Sequence, residues 1–145
     1  SNPELRKLTS HLKIDETENG LRIQLLDQAN RSMFPVGSAD MENFMNQLIN
    51  EVAKSIKNLP NPISIEGHTD SNPFRGRSNY TNWELSADRA NASRRALINA
   101  GIAESRIKNI IGLAATDPLD STNPSAAQNR RISIILLRQS GPNQL

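Results

Sequence analysis

Asp70 closes the run Ile63-Ser64-Ile65-Glu66-Gly67-His68-Thr69-Asp70, in which alternating apolar residues give way to polar ones. That pattern puts a carboxylate at the end of a short strand. Arg89 follows about two turns into a predicted helix, and a helix packed back on the strand would bring the two together. Ligands in such crossovers collect at the carboxyl ends of strands. Asp70 could accept from a ligand ammonium or amide, and the Arg89 guanidinium could hold a carboxylate through two parallel hydrogen bonds. The competing reading is a structural Asp70–Arg89 ion pair, and residue spacing alone leaves both open.

Other chemistries find few candidates. His11 and His68 are the only histidines and cysteine is absent. A catalytic zinc takes about three protein ligands, whereas His68-Thr69-Asp70 offers two at an unusual spacing. Neither a Gly-x-Ser-x-Gly elbow nor a phosphate-cradling Gly-x-x-x-x-Gly-Lys-Ser/Thr loop occurs. The expectation is a binding module, not an enzyme, with no cofactor and no metal; His68 reads as a hydrogen-bonded structural residue. A net charge of +2 and 3% aromatic residues give no support to a nucleic-acid partner. The basic residues are mostly Arg, including Arg94-Arg95 and Arg130-Arg131, and for most of them a solvated surface is the simpler reading.

The elements that must position these residues can be read from pattern. A length of 145 residues suits one domain. Apolar runs fall short of the roughly 20 residues of a membrane span, and Ser1-Asn2-Pro3-Glu4 is unlike a signal peptide, so any anchor or export signal is expected outside these residues. A short helix is predicted over 5–12. Alternation on both sides of Asn19-Gly20 predicts a hairpin centred there. Residues 27–38 read as a loop ending at Ser38, a candidate N-cap. Met41, Phe44, Met45, Leu48, Ile49, Val52, Ala53 and Ile56 then recur at helical spacing, a stripe that reads as a packed face, not a partner groove. A loop over 71–80 precedes a capping box, with Thr81 as N-cap and Glu84 at N3. The helix it starts should run to Ala100 and end at Gly101. Its small residues, Ser86, Ala87, Ala90, Ala92, Ser93 and Ala96, suit close approach to a sheet. Strands are predicted over 107–114 and over 132–137, the last apolar on both faces and therefore central. The result is an α/β sandwich: a mixed β-sheet with two main helices on one face. Residues 1–20 read as a lead-in helix and first strand, 13–139 as the domain, and 140–145 as a flexible tail.

Three blocks occur in order: Gly67-His68-Thr69-Asp70, Asn82-Trp83-Glu84-Leu85-Ser86-Ala87-Asp88-Arg89-Ala90 and Asn129-Arg130-Arg131-Ile132. Together they resemble the signature of OmpA-like C-terminal domains, and the resemblance covers roughly residues 20–138. Met33-Phe34-x-x-Gly37-Ser38-Ala39 and Asn-Trp-Glu-Leu-Ser are similar to the flagellar-stator branch of that family more than to its porins and lipoproteins. The resemblance implies non-covalent binding of peptidoglycan through the diaminopimelate of its stem peptide. Its ligand residues fall on Thr69, Asp70, Asn82, Leu85, Arg89, Asn129 and Arg130, with Arg94 as a further candidate. It also implies a periplasmic domain of an inner-membrane protein that anchors a motor stator to the wall, works as a homodimer and serves a membrane ion-channel partner. The alternative it leaves is a wall tether of another envelope or secretion complex. Ser71-Asn72-Pro73-Phe74-Arg75-Gly76 begins a longer loop than many relatives have. The stator membrane helix, with its proton-carrying Asp, has no counterpart here, so ion conduction is expected of other residues.

Overall fold

The computed structural model describes residues 3–74 and 78–139. The expected tail at 140–145 lies outside the described residues, as do 75–77 of the long loop. A short helix, α1 (Pro3–Thr9), leads into a hairpin of β1 (Leu12–Thr17) and β2 (Gly20–Leu26). Next come α2 (Asn43–Ile56), β3 (Ile63–His68), α3 (Asn82–Asn99), β4 (Ile107–Gly112) and β5 (Arg131–Leu137). The five strands form one sheet in the order β1-β2-β5-β3-β4. Only β3 and β4 run parallel, joined by the α3 crossover; the other pairs are antiparallel. The last strand in sequence is thus the middle strand in space, as expected, and its residues from Arg131 to Leu136 are buried on both faces.

One face of the sheet carries the core. Ile23 and Leu25 of β2, Ile63 and Ile65 of β3, and Ile132, Ile134 and Leu136 of β5 meet the helices there. From α2 come Phe44, Met45, Leu48, Ile49, Val52, Ala53 and Ile56, all buried, so the methionine-bearing stripe is a packed face. Each fully buried side chain of this size contributes about 1.5–3 kcal/mol of transfer free energy. Leu8 joins the same core, so the lead-in segment packs with the domain. The other face of the sheet carries Ile135 and polar residues paired across strands: Arg22 with Asp15, Ser64 with Asn109, and Gln24 Oε1 accepting from Arg131 Nε and Ser133 Oγ.

Several boundaries differ from expectation. The first helix ends at Thr9 because β1 begins at Leu12. The hairpin reverses at Glu18-Asn19, one residue early: Thr17 pairs with Gly20, and its Oγ1 accepts from Asn19 N and donates to Gly20 O. Ser38 does not cap α2, which starts five residues later at Asn43. The Ser38 hydroxyl is engaged locally, accepting from Asp40 N at 2.9 Å, and Glu42 N donates to Met33 O at 2.9 Å, which keeps 33–42 out of the helix. The strand over Ile107 stops at Gly112, and Ala114 lies beyond it with φ +50°. At α3 the capping box is complete, with Thr81 and Glu84 serving each other's backbone N–H groups.

What brings α3 down onto the strand end is a pair of glycines. Gly67 and Gly112 face one another in the β3–β4 register. A Cβ on Gly67 would lie 2.0 Å from Ser86 O, and one on Gly112 would lie 2.6 Å from Ala87 N. The first turns of α3 therefore rest on backbone, with no side chain between. Ser86 Oγ fastens the contact by accepting from Ala114 N at 3.0 Å and donating to Trp83 O at 3.0 Å.

Candidate functional site

With α3 seated this way, its residues 82, 85 and 89 overhang the end of β3. Thr69 and Asp70 follow that strand immediately, and Thr69 N donates to Ala114 O at 2.9 Å. A cleft of about 530 Å³ opens between this corner and the loop after β2. Its polar groups are Asp70, Arg89 and Arg130, with Thr69, Asn72 and Asn82; Leu85, Phe34, Pro73 and Phe74 supply apolar walls. The opposite rim is a turn at 35–38, closed by Ser38 N donating to Pro35 O at 3.1 Å. Gly37 occupies its third position with φ +67°, where a Cβ would meet the Phe74 ring at 2.4 Å.

The ion pairing differs from the simple pair considered above. Asp70 does not pair with Arg89. Its Oδ2 accepts from Arg130 Nη1 at 2.7 Å, and its Oδ1 from Asn72 N at 2.9 Å. Arg130 Nε also donates to Asp27 Oδ2 at 2.8 Å, so one guanidinium bridges two carboxylates. Burial draws the Arg130 pKa down, but the hydrogen bonds to Asp27 and Asp70 outweigh it and hold the value above the ordinary range. Asp27 is itself fixed by accepting from Met33 N at 2.8 Å.

Arg89 is only 7% exposed and faces backbone. Its Nε donates to Ser38 O at 2.8 Å and its Nη2 to Pro35 O at 3.1 Å, with the guanidinium carbon 4.9 Å from the Phe34 ring centroid. Neutral carbonyls do not cancel its charge. Burial lowers its pKa, partly opposed by Asp27, yet an arginine remains cationic under such a shift. Its Nη1 makes no hydrogen bond among the described residues, and Arg89 is part of the cleft lining. The arrangement thus presents one carboxylate and two guanidiniums around a half-apolar hollow, suited to a small ligand bearing both an ammonium and a carboxylate.

Thr69, Asp70, Asn82, Leu85, Arg89 and Arg130 all line the cleft. Two expected residues do not. Asn129 is fully buried behind it: its amide donates to Asp120 O, Asn123 O and Pro124 O, and its oxygen accepts from Asp120 N, which shapes the 120–124 loop. Arg94 points elsewhere, bonding Asn91 Oδ1 at 2.7 Å and pairing with Glu104 at 3.6 Å. Asp27 and the 33–38 segment were missed as site residues because an irregular loop carries no periodicity. The Met33-Phe34-x-x-Gly37-Ser38-Ala39 block was the available signal, seen only as a mark of kinship. Among the described residues no cluster of three or more His, Cys, Asp or Glu could hold a metal ion.

Comparison with known proteins bears on the family and the fold. The OmpA family matches residues 33–131. Motility protein B of Escherichia coli K12 is 48% identical over 140 residues, which cover 96% of this chain and 46% of that protein; the chain thus spans about half the length of this relative. The crystal structure of the periplasmic domain of Helicobacter pylori MotB superposes with a TM-score of 0.77 at 21% identity, covering 90% of this chain and 82% of that one. The cell wall anchor of the T6SS from Pseudomonas aeruginosa gives 0.73 at 20% identity, covering 96% and 100%. At such identities the likeness establishes a shared fold.

Proposed function

Since the chain belongs to the OmpA family, we propose that it is a non-covalent peptidoglycan-binding domain that takes the diaminopimelate of a stem peptide into the cleft. The observation that carries this reading is the charge arrangement at the end of β3. Free diaminopimelate ends in an ammonium and a carboxylate on one carbon. Asp70, held by Arg130 and the Asn72 amide, faces the ammonium; Arg89, through Nη1, takes the carboxylate. Thr69 and Asn82 offer neutral polar contacts, and Leu85 packs against the ligand's methylene chain. Nothing in this scheme requires bond cleavage, so the domain acts as a binding module and not as a wall hydrolase.

The proposal extends to the whole protein. The kinship with a motility protein supports a stator anchor in the periplasm, part of an inner-membrane protein working as a homodimer with an ion-channel partner of the MotA type. That partner would be engaged through sequence N-terminal to this domain. The second reading, a wall tether of another envelope or secretion complex, draws on the fold shared with the T6SS anchor. Co-purification of a channel subunit with the full-length protein separates the two.

The test is a change that leaves the fold intact. Asp70→Asn keeps an oxygen to accept from Asn72 N and leaves Arg130 its Asp27 partner. The variant should stay folded with a lower melting temperature, since the charged bond from Arg130 to Asp70 is lost, while pull-down by purified peptidoglycan should fall. A charged hydrogen bond is worth about 1.5–3 kcal/mol, or roughly 10- to 150-fold. Calorimetry with a tripeptide carrying free or amidated diaminopimelate should show the amidated form binding more weakly. Equal affinity for both would refute the assignment.

A further inference from the structure

A second hollow opens beside the cleft, with Asn82 in the lining of both. It measures about 470 Å³ and is lined by Pro73, Phe74, Trp83, Ala115 and Thr116 among others. Trp83 is the only tryptophan of the chain and stands 53% exposed. It is not carried on a loose loop. The capping box fixes its backbone: Trp83 N donates to Thr81 Oγ1 at 3.2 Å and Trp83 O accepts from Ser86 Oγ at 3.0 Å.

Charge separates the two hollows. The cleft holds Asp70, Arg89 and Arg130, whereas among the described residues no charged side chain lines the groove. An exposed indole in one lining with Ala114, Ala115 and the neutral Thr81, Asn82 and Thr116 suits a ring with an apolar C–H face and polar edges. A pyranose is such a ring. Its C–H groups lie on the electron-rich face of the indole, while its hydroxyl and acetamido groups turn to water and the polar rim.

Spacing agrees with the covalent structure of the wall. Trp83 and Arg89 are separated by about 9 Å along the helix axis at 1.5 Å per residue. Two amino acids and the methylene chain of diaminopimelate lie between the lactyl group of the amino sugar and the charged end, so the reach exceeds the roughly 7 Å of two extended residues at 3.3–3.6 Å each. A ligand whose diaminopimelate sits between Asp70 and Arg89 can therefore bring its sugar to Trp83. We propose that the Trp83 groove is a glycan subsite, taking the amino sugar to which the bound stem peptide is attached. This rests on the stem-peptide reading of the main cleft and adds a second contact to it.

The experiment is calorimetry on the whole chain with two synthetic probes: the diaminopimelate tripeptide alone, and the same tripeptide on its N-acetylglucosamine–N-acetylmuramic acid disaccharide. The disaccharide form should bind about 2- to 10-fold more tightly, the range that aromatic contacts give beyond area burial. Trp83→Ala should abolish that increment and leave tripeptide affinity unchanged. Trp83→Phe, which keeps an aromatic face, should retain part of it. Equal binding of both probes to the wild type, or an increment that survives Trp83→Ala, overturns the subsite while the main cleft stands. If the tripeptide itself fails to bind, the reading of the cleft falls and the subsite with it. Sedimentation provides a last check: loss of self-association in Trp83→Ala with the increment intact would mean that the groove meets another copy of the chain, which also overturns the proposal.

Discussion

Replacing Arg89 by Lys keeps the charge and removes the fork, and here the fork is committed to backbone. A lysine can reach one of the Pro35 and Ser38 carbonyls but cannot span both in fixed geometry. Arg89→Lys should therefore lower stability by about 1.5–3 kcal/mol, read in urea unfolding, and weaken wall binding in parallel because the 35–38 rim loosens. Arg94→Ala is the control on the same helix. Its pairing with Glu104 is exposed, an interaction worth about 0–1 kcal/mol, and it does not line the cleft, so wall pull-down should be unchanged. The contrast explains what the sequence could and could not disclose. Asp70 at a strand end and Arg89 on the following helix were legible from local pattern. The partner of Asp70 was not, because Arg130 lies 60 residues away and nothing in its neighbourhood marks which carboxylate it meets.

Among the elements, α3 matters most, because its seat on the sheet sets the shape of the cleft. Gly67→Ala puts a methyl group 2.0 Å from Ser86 O, and the neighbour that must yield is helix backbone. Overpacking of this kind costs about 1–3 kcal/mol. The helix should also lift from β3, carrying Asn82, Leu85 and Arg89 with it, so melting temperature and wall binding should drop together; a stable mutant with full binding would contradict the seat described. The hairpin invites a pH measurement. Asp15 and Arg22 stand directly opposite on β1 and β2, and two hydrogen bonds from Arg22, aided by its charge, hold the Asp15 carboxyl below its usual range against the effect of burial. A depressed folded-state pKa contributes stability above the unfolded value and loses it as pH falls through the folded one. The stability advantage of wild type over Asp15→Asn should thus be present at pH 7, begin to fade as pH falls to about 3.9 and be gone only below the depressed folded value, a trend that chemical denaturation at several pH values will reveal. These elements were the readable part of the sequence: the α2 stripe and the α3 cap are local codes. The 27–42 segment was not, since its conformation is held by Arg89, Asp27 and Phe74, contacts that no period predicts.

For the molecule as a whole, the cleft is small and open to water, so one domain should hold one stem peptide modestly. A dimer presenting two clefts to the same wall can bind with an avidity exceeding one affinity by about 10²–10⁴, provided the linkage lets both engage. Pull-down of intact peptidoglycan by a covalently linked pair, set beside an equal concentration of sites as monomer, measures this directly; equal retention would mean that the second cleft cannot reach the wall. The fold class and the middle position of β5 were both expected from pattern, because a strand with apolar residues on each face, such as Ile134 and Ile135, is covered on both sides.

The β1–β2 and β5–β3 registers have a mechanical corollary. Leu12, the first residue of β1, lies opposite Leu25 near the end of β2, and His68 lies opposite Arg131. The chain therefore joins the sheet at the same end that carries Asp70. If the domain is a tether, tension arrives and departs at one edge of the molecule and runs crosswise through β1, β2, β5 and β3, leaving the far turn at Glu18-Asn19 unloaded. Arg130 sits on that line, strapping the exit of β2 through Asp27 to the exit of β3 through Asp70. The residue that completes the cleft would then also carry part of the load.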